Sequence, residues 1–136
     1  MARGALLLEA LTALAVFSLG VLGNVALQAQ AIRHVHDAES RSEAARLAQA
    51  LVGRMWADDP ATLDSRYAAA GGAGYAAFAR LARRLPGADV PGNAAEIRLE
   101  PGPVPGSRRV IVVLHWQLPG DAAAHRHGLT AVVGRN

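Results

Sequence analysis

Apolar residues dominate the first quarter of the chain. From Ala5 to Ile32 the sequence contains a single ionisable side chain, that of Glu9, and positions 10–32 carry no charge at all. A helix of those 23 uncharged residues is about 35 Å long, which exceeds the roughly 30 Å hydrocarbon core of a bilayer. The pattern predicts a membrane-spanning helix over 5–32.

The following segment, 33–57, changes to an amphipathic pattern in which apolar residues recur at spacings of three, four and seven. This periodicity predicts that the helix continues in water. Leu47, Leu51 and Met55 form one stripe of that helix, and we expect the stripe to face a sheet. Pro60 prevents further continuation.

Residues 58–92 predict a loop followed by one short helix. Residues 60–74 are predicted to form a loop, because they contain the glycine-rich stretch Gly71–Gly74. The apolar spacing over Tyr75–Leu85 predicts a helix, and the Pro86-Gly87 pair ends it.

Residues 93–136 alternate with a period of two, which is typical of strands. Strands are predicted over Glu96–Leu99, Arg108–Leu118 and His127–Val133, with a hairpin connection at Pro101–Gly106. In the second strand one face is predicted to meet the long helix: Val110, Val112, Leu114 and Trp116. The elements predict an α+β fold, in which the C-terminal half of a long N-terminal membrane-spanning helix packs on a small antiparallel sheet.

Composition removes several classes of function. Among 136 residues there is no cysteine, so a disulfide framework, a thiolate metal site and a cysteine nucleophile are all excluded. The 14 basic residues are all arginine, and against 11 acidic residues they give a net charge of +3. Apart from the doublets Arg83-Arg84 and Arg108-Arg109 they are scattered, so we do not expect nucleic acid as a partner.

Few side chains suggest chemistry. His34 and His36 are two residues apart on a predicted helix and therefore point in different directions. His125 and His127 share one face of a predicted strand near Asp121, but tetrahedral zinc needs three or four converging ligands. The sequence contains no Gly-x-Ser-x-Gly motif of serine hydrolases, no phosphate-binding P-loop and no His-Glu-x-x-His motif of zinc proteases. We therefore expect no enzymatic activity, no metal and no cofactor.

Two simple interpretations of the N-terminal stretch remain open. A plain membrane anchor accounts for its length but leaves Glu9 unexplained, because a carboxylate at mid-bilayer costs about 3 kcal/mol. A secretory signal is suggested by Ala29-Gln30-Ala31, which fits a cleavage site after Ala31 and would release a soluble periplasmic domain. However, the apolar run is longer than the 7–15 residues of a signal peptide.

A third interpretation comes from the spacing of three residues. A short leader with Arg3 ends in Gly4, an apolar Ala5 follows, and Glu9 is the fifth residue counted from Ala5. This arrangement resembles the class III signal of type IV prepilins and of the related pseudopilins. The leader would then be 1–4, the transmembrane and assembly helix 5–32, and the periplasmic pilin-like domain 33–136.

Within these proteins, the stretch is most similar to the minor pilins of the type IV pilus modification protein (PilV) family. The similarity is carried by Ser18–Gly23, Leu27–Ala29 and Gly53–Met55. The sequence departs from the family at Ala5, where Phe or Met is usual, and at Leu6–Leu8, where Thr-Leu-Ile is usual.

The resemblance implies a maturation pathway and a set of partners. Prepilin peptidase would cut between Gly4 and Ala5, Ala5 would be N-methylated, and Glu9 would pair with the N-terminal ammonium of a neighbouring subunit and so fix the register. The implied partners are the peptidase, other minor pilins, the major pilin, the inner-membrane assembly platform and membrane lipid. The chain would be a single-pass inner-membrane protein with a periplasmic C-terminal domain, and later part of a pilus that serves motility or adhesion.

Two rival functions are kept beside this one. A minor pseudopilin of type II secretion shares the same helix and differs in the system that it serves. The secreted domain cut after Ala31 belongs to another class.

Overall fold

The computed structural model describes residues 2–68 and 71–134, with side chains from Gly4 onward. Met1 and the side chain of Arg3, the basic residue of the predicted leader, therefore lie outside the described part. The chain divides into two compact units, Met1–His36 and Asp37–Asn136.

The first helix, α1, extends over Ala2–Ala57. Its apolar residues up to Val35 are exposed, with Leu6 64% and Phe17 68% accessible. Of the described helices it is the one long and apolar enough to cross a membrane by length and composition. A secretory signal near an N-terminus satisfies the same criterion, so length alone does not separate an anchor from a signal.

The second unit contains a three-stranded antiparallel sheet in the order β1-β2-β3. The strands are β1, Glu96–Pro101, β2, Arg108–Trp116, and β3, His125–Val133. The predicted α+β class with a small antiparallel sheet is thus confirmed. β3 begins two residues earlier than predicted, because Trp116 pairs with His125 and extends the ladder.

One hydrophobic core joins the C-terminal part of α1 to the sheet. The predicted helix stripe is buried, and so is the predicted face of β2, in which alternate residues point inward. Each fully buried Leu, Val or Met contributes about 1.5–3 kcal/mol relative to an exposed position. The residues of the two faces are Leu47, Leu51 and Met55 from α1 and Val110, Val112, Leu114 and Trp116 from β2.

The segment predicted as a loop over 60–74 contains helical turns instead. A 3-10 turn occupies Pro60–Thr62 and a π-helical turn Asp64–Ala68. These turns form because Leu63 and Tyr67 are buried in the core and fix the backbone between them.

The second helix, α2, spans Ala73–Ala82, so it begins two residues before the predicted Tyr75 and ends three before Leu85. Its start includes Gly74, which was predicted to lie in the glycine-rich loop. The ring of Tyr67 occupies the space that a Cβ at position 74 would need. The glycine therefore permits close packing rather than flexibility.

Candidate cleavage and assembly site

The three residues of the predicted class III signal lie at the start of α1. Gly4, Ala5 and Glu9 are all helical, and all are exposed. Ala5 and Glu9 are four residues apart, so they lie on the same face of the helix with an axial separation of about 6 Å. A new N-terminus at Ala5 would therefore begin one helical turn before the carboxylate.

The Glu9 carboxylate has neither a hydrogen bond nor an ion pair with any side chain that the structure describes. Besides the backbone bonds of the helix, its carbonyl oxygen accepts a hydrogen bond from Thr12 Oγ1 at 2.9 Å. An ionised carboxylate without a partner is strongly disfavoured in an apolar medium. A partner from outside the chain, or a position at the membrane interface, would meet this requirement.

Other polar side chains on the same stretch bond to their own helix. Ser18 Oγ donates to the carbonyl oxygen of Leu14 at 2.8 Å, and Gln28 Nε2 donates to Asn24 Oδ1 at 2.9 Å. Such bonds reduce the cost of placing these groups in lipid. Glu9 differs from them in having an ionisable group with no partner in the described chain.

The surface next to Glu9 is apolar and shallow. A depression is lined by Glu9, Thr12, Ala13, Val16 and Phe17. It places one carboxylate at the edge of a surface that another apolar helix can cover. Further along the helix, glycines at positions 20 and 23 have open space where a side chain would begin, and small residues let helices approach closely in lipid.

Gly4 has no structural role that requires glycine. A Cβ at this position would meet nothing within 4 Å, and its backbone is ordinary helix. Alanine is also the better helix former by about 1 kcal/mol. Any requirement for glycine here must therefore come from a molecule that acts on the chain.

The alternative cleavage sequence, Ala29–Ala31, lies inside α1, which continues to Ala57. Its residues are exposed. The boundary between the two compact units lies five residues further along, between His36 and Asp37.

Of the two histidines predicted to lie near Asp121, His125 takes part in a different arrangement. His125 Nε2 lies 3.1 Å from Asp121 Oδ2, and its Nδ1 lies 3.8 Å from Asp37 Oδ1. The ring stacks on Trp116 with 5.6 Å between centroids. Within residues 2–68 and 71–134, no group of three or more histidine or carboxylate side chains could hold a metal ion.

A second polar network, which the sequence did not predict, holds the turn after α1. Asp58 accepts from Arg66 Nη1 at 2.7 Å and from the hydroxyl of Tyr67 at 2.5 Å. Burial, followed by the hydrogen bond to Asp58, raises the pKa of Tyr67 above its ordinary value. Asp64 also binds Arg108 at 2.9 Å, which raises the pKa of that guanidinium.

Little in the sequence could have indicated these contacts. The i,i+4 spacing predicts ion pairs of Asp37 with Arg33 and with Arg41, and the pair with Arg41 forms at 3.1 Å. Asp37 also accepts a hydrogen bond from Trp116 Nε1 of β2 at 3.1 Å. Nothing in the local pattern links Asp37 to β2, or Asp64 to the start of that strand.

Comparisons of the chain with protein-family models, with curated proteins and with solved structures give no match. The likeness to prepilins thus depends on the residues of the sequence alone. Membership of the PilV family, the cleavage between Gly4 and Ala5 and the role of Glu9 stay predictions.

Proposed function

We propose that this chain is a minor pilin of a type IV pilus, similar to the PilV family. Prepilin peptidase hydrolyses the peptide bond between Gly4 and Ala5, and the new amino group of Ala5 is methylated. The helix then holds the subunit in the inner membrane until it enters the filament. In this role the chain is structural, with no enzymatic activity of its own.

The observation that carries the proposal is the position of Glu9. It is the fifth residue after Gly4, it lies at the edge of an apolar surface, and its carboxylate has no partner among the described side chains. In a filament the ammonium of a neighbouring subunit at Ala5 supplies the opposite charge. In an apolar interior such pairing offsets part of the desolvation penalty of both ions.

The pairing also selects one axial position between neighbouring helices. A shift of one helical turn moves the two charges apart by about 5.4 Å and leaves both without a partner. The apolar side chains on either side of Glu9 offer no comparable selection, since leucines pack against leucines in many registers. The carboxylate therefore sets the register, and the apolar surface supplies the contact area.

The rest of α1 supports the proposal by its exposed apolar surface. Soluble proteins rarely expose a contiguous apolar surface of this size, and such a surface marks a site of contact with a membrane or with another protein. After the span the C-terminal unit folds around its own core. With Arg3 retained in the cytoplasm, as the positive-inside tendency favours, this unit lies in the periplasm.

The proposed function is tested by determining where the chain is found in the cell. Filaments sheared from the cell surface and purified away from membranes are probed for the chain, with a membrane protein of the inner membrane as the purity control. The proposal expects the chain in the filament fraction and fewer surface filaments when its gene is deleted.

The two rivals give different results in the same experiment. Normal filaments together with loss of protein secretion would favour the minor pseudopilin of a type II secretion system. A soluble chain in the periplasmic fraction, starting at Ile32, would favour the secreted domain cut after Ala31. Either result contradicts the minor pilin.

A further inference from the structure

A narrow groove lies between α1 and α2 within the C-terminal unit. On the α1 side it is lined by Arg46, Ala50 and Arg54, which follow one another at intervals of four residues along one helix face. Across the groove lie Leu81 of α2 and Arg84, just beyond the end of that helix. The small side chain at position 50 leaves a gap between the two arginines of α1, which are about 12 Å apart along the helix axis.

The floor of this groove is apolar and is part of the core. It is formed by Leu47, Leu51 and Phe78, each less than 5% exposed. Leu81 is half-buried beside them. An apolar side chain that entered the gap would thus contact a fixed hydrophobic surface, while its neighbours met the arginines on the rim.

One arginine of the rim already binds a carboxylate of the chain itself. Glu43 accepts hydrogen bonds from Nε and Nη2 of Arg46, the former at 2.7 Å. The bonds from Arg46 lower the pKa of Glu43, burial opposes this, and the charges of Arg46 and Arg84 lower the pKa further. One carboxylate of the chain itself therefore lies under the influence of two of the three arginines.

Two arginines of the rim have no directly bonded carboxylate among the described residues. Neither Arg54 nor Arg84 has a hydrogen-bonded or ion-paired carboxylate among the residues that the structure describes. Guanidinium groups bind carboxylates through two parallel hydrogen bonds, so two such binding positions remain available beside the apolar gap.

The size of the groove limits what can enter it. Its volume is 240 Å³, below the roughly 300–1,000 Å³ of sites that enclose small-molecule ligands. One aliphatic side chain fits this space. Single-stranded nucleic acid would need an exposed aromatic surface for base stacking, and Phe78, at 3% exposed, offers none. Duplex nucleic acid is bound through many phosphate contacts, more than three arginines supply. Adsorption to anionic lipid depends on many basic residues near one surface, whereas this rim has three and Glu43 neutralises one.

We propose that the groove binds an acidic segment of another protein, which inserts one aliphatic side chain beside Ala50 and places carboxylates on Arg54 and Arg84. The inference does not depend on how the N-terminal helix is processed, because every residue that it uses belongs to the C-terminal unit. The groove is then a docking site for a protein partner, in which the apolar anchor supplies contact and the arginines supply selectivity.

The test uses the full chain in nonionic detergent micelles and a fluorescent helical peptide as the probe. The peptide is built on alanine, with one central Leu and Glu at the fourth position on either side. A matched peptide carries Gln in place of both Glu residues. Binding is followed by fluorescence anisotropy at low and at physiological salt. We expect the Glu peptide to bind at least about tenfold more tightly than the Gln peptide, with an affinity that falls as salt rises.

Two variants examine the two parts of the site. The double variant R54E/R84E should bind the Glu peptide about tenfold or more weakly. Ala50→Leu, which fills the gap, should lower the affinity for both peptides. Arg80→Glu changes an exposed arginine of α2 outside the groove and should leave binding unchanged. Thermal unfolding of each variant shows that the fold is retained.

Equal binding of the Glu and Gln peptides would overturn the proposal, and so would an unchanged affinity in R54E/R84E or in Ala50→Leu. Phosphatidylglycerol vesicles and a 20-base-pair DNA duplex are tested in parallel. If R54E/R84E abolishes binding to either of these while the peptide is unaffected, the groove serves lipid or nucleic acid and the proposed protein partner is wrong.

Discussion

The indole of Trp116 donates a hydrogen bond from Nε1 to Oδ1 of Asp37 at 3.1 Å, across 79 positions of sequence. Trp116 is 1% exposed, so its N–H has no access to bulk water. The other carboxylate oxygen of Asp37 accepts from Arg41 at 3.1 Å. This contact ties α1 to the end of β2 at the first residue of the C-terminal unit.

Asp37→Ala should therefore destabilise the C-terminal unit by about 1–3 kcal/mol, because it leaves a buried donor without an acceptor. Asp37→Asn keeps an acceptor oxygen near the indole, so the loss of stability should be clearly smaller. Thermal unfolding of the full chain in detergent, followed by near-UV circular dichroism of the tryptophans, measures the difference.

Arg41→Ala is the matched control for that experiment. It removes an ion pair whose arginine side chain is 63% exposed, and such surface pairs contribute less than about 1 kcal/mol. If Asp37→Ala were no more destabilising than Arg41→Ala, the hydrogen bond to Trp116 would not hold the helix to the sheet.

Stability should fall in alkali because of Tyr67. Its folded pKa lies above the value of about 10 for an unperturbed tyrosine, through burial and then the hydrogen bond to Asp58. As pH rises, the hydroxyl of Tyr67 loses its proton in the unfolded chain before it does so in the folded chain. The contribution of this residue to the free energy of unfolding is therefore complete below about pH 10 and is lost as pH rises through the folded pKa. The sequence has no lysine or cysteine, which keeps this pH range free of their titration.

Chemical unfolding between pH 8 and 11 measures this loss, and absorbance of tyrosinate reports the titration. Tyr67→Phe should be less stable at neutral pH, since it loses the bond to Asp58, and should show a smaller decline in alkali. Tyr75→Phe, which removes a hydroxyl bonded to the carbonyl oxygen of Ala95, is the control. An equal decline in the wild type and in Tyr67→Phe would contradict the assignment.

Periodicity predicted the parts of the fold that depend on one element at a time. The stripe of Leu47, Leu51 and Met55 and the alternating face of β2 are readable because burial repeats with the period of the helix or strand. The turns over 60–68 were missed, since two buried residues, Leu63 and Tyr67, fix them without any repeating pattern.

Contacts between distant segments had no signal in the sequence. Asp37 is one of several acidic residues along α1, and only the folded chain brings Trp116 to it. The arginines of the groove were likewise not predicted to lie together, and only Arg84 was singled out, as part of the doublet Arg83-Arg84. Arg84 lies beyond α2, and its position opposite Arg54 depends on how the two helices pack. The site at Gly4 and Glu9 could be predicted from the sequence, because it depends only on the spacing of residues that are close together in the chain.

Glu9→Ala should still be cleaved but should enter filaments poorly, because the neighbouring ammonium loses its partner. Glu9→Gln, which keeps the shape and removes the charge, should behave in the same way. Thr12→Ala, which removes a hydroxyl bonded to the Glu9 carbonyl, should be incorporated normally. The amount of the chain in sheared filaments, relative to the membrane pool, is the measurement. Normal levels of both Glu9 variants would refute a register role.

Gly4→Ala should fold normally and fail to mature. The fold has open space for the added methyl group, and alanine favours the helix, so unchanged thermal unfolding is expected. The precursor should accumulate in membranes, visible as a slightly larger species by mass spectrometry. Normal processing of this variant would show that Gly4 does not end a leader.

The N-terminal residue of the mature chain, isolated from cells and identified with its methylation state by mass spectrometry, tests the central claim most directly. The proposal predicts a chain that starts at Ala5 and carries an N-methyl group. A chain that starts at Ile32, or one that keeps residues 1–4, would contradict it.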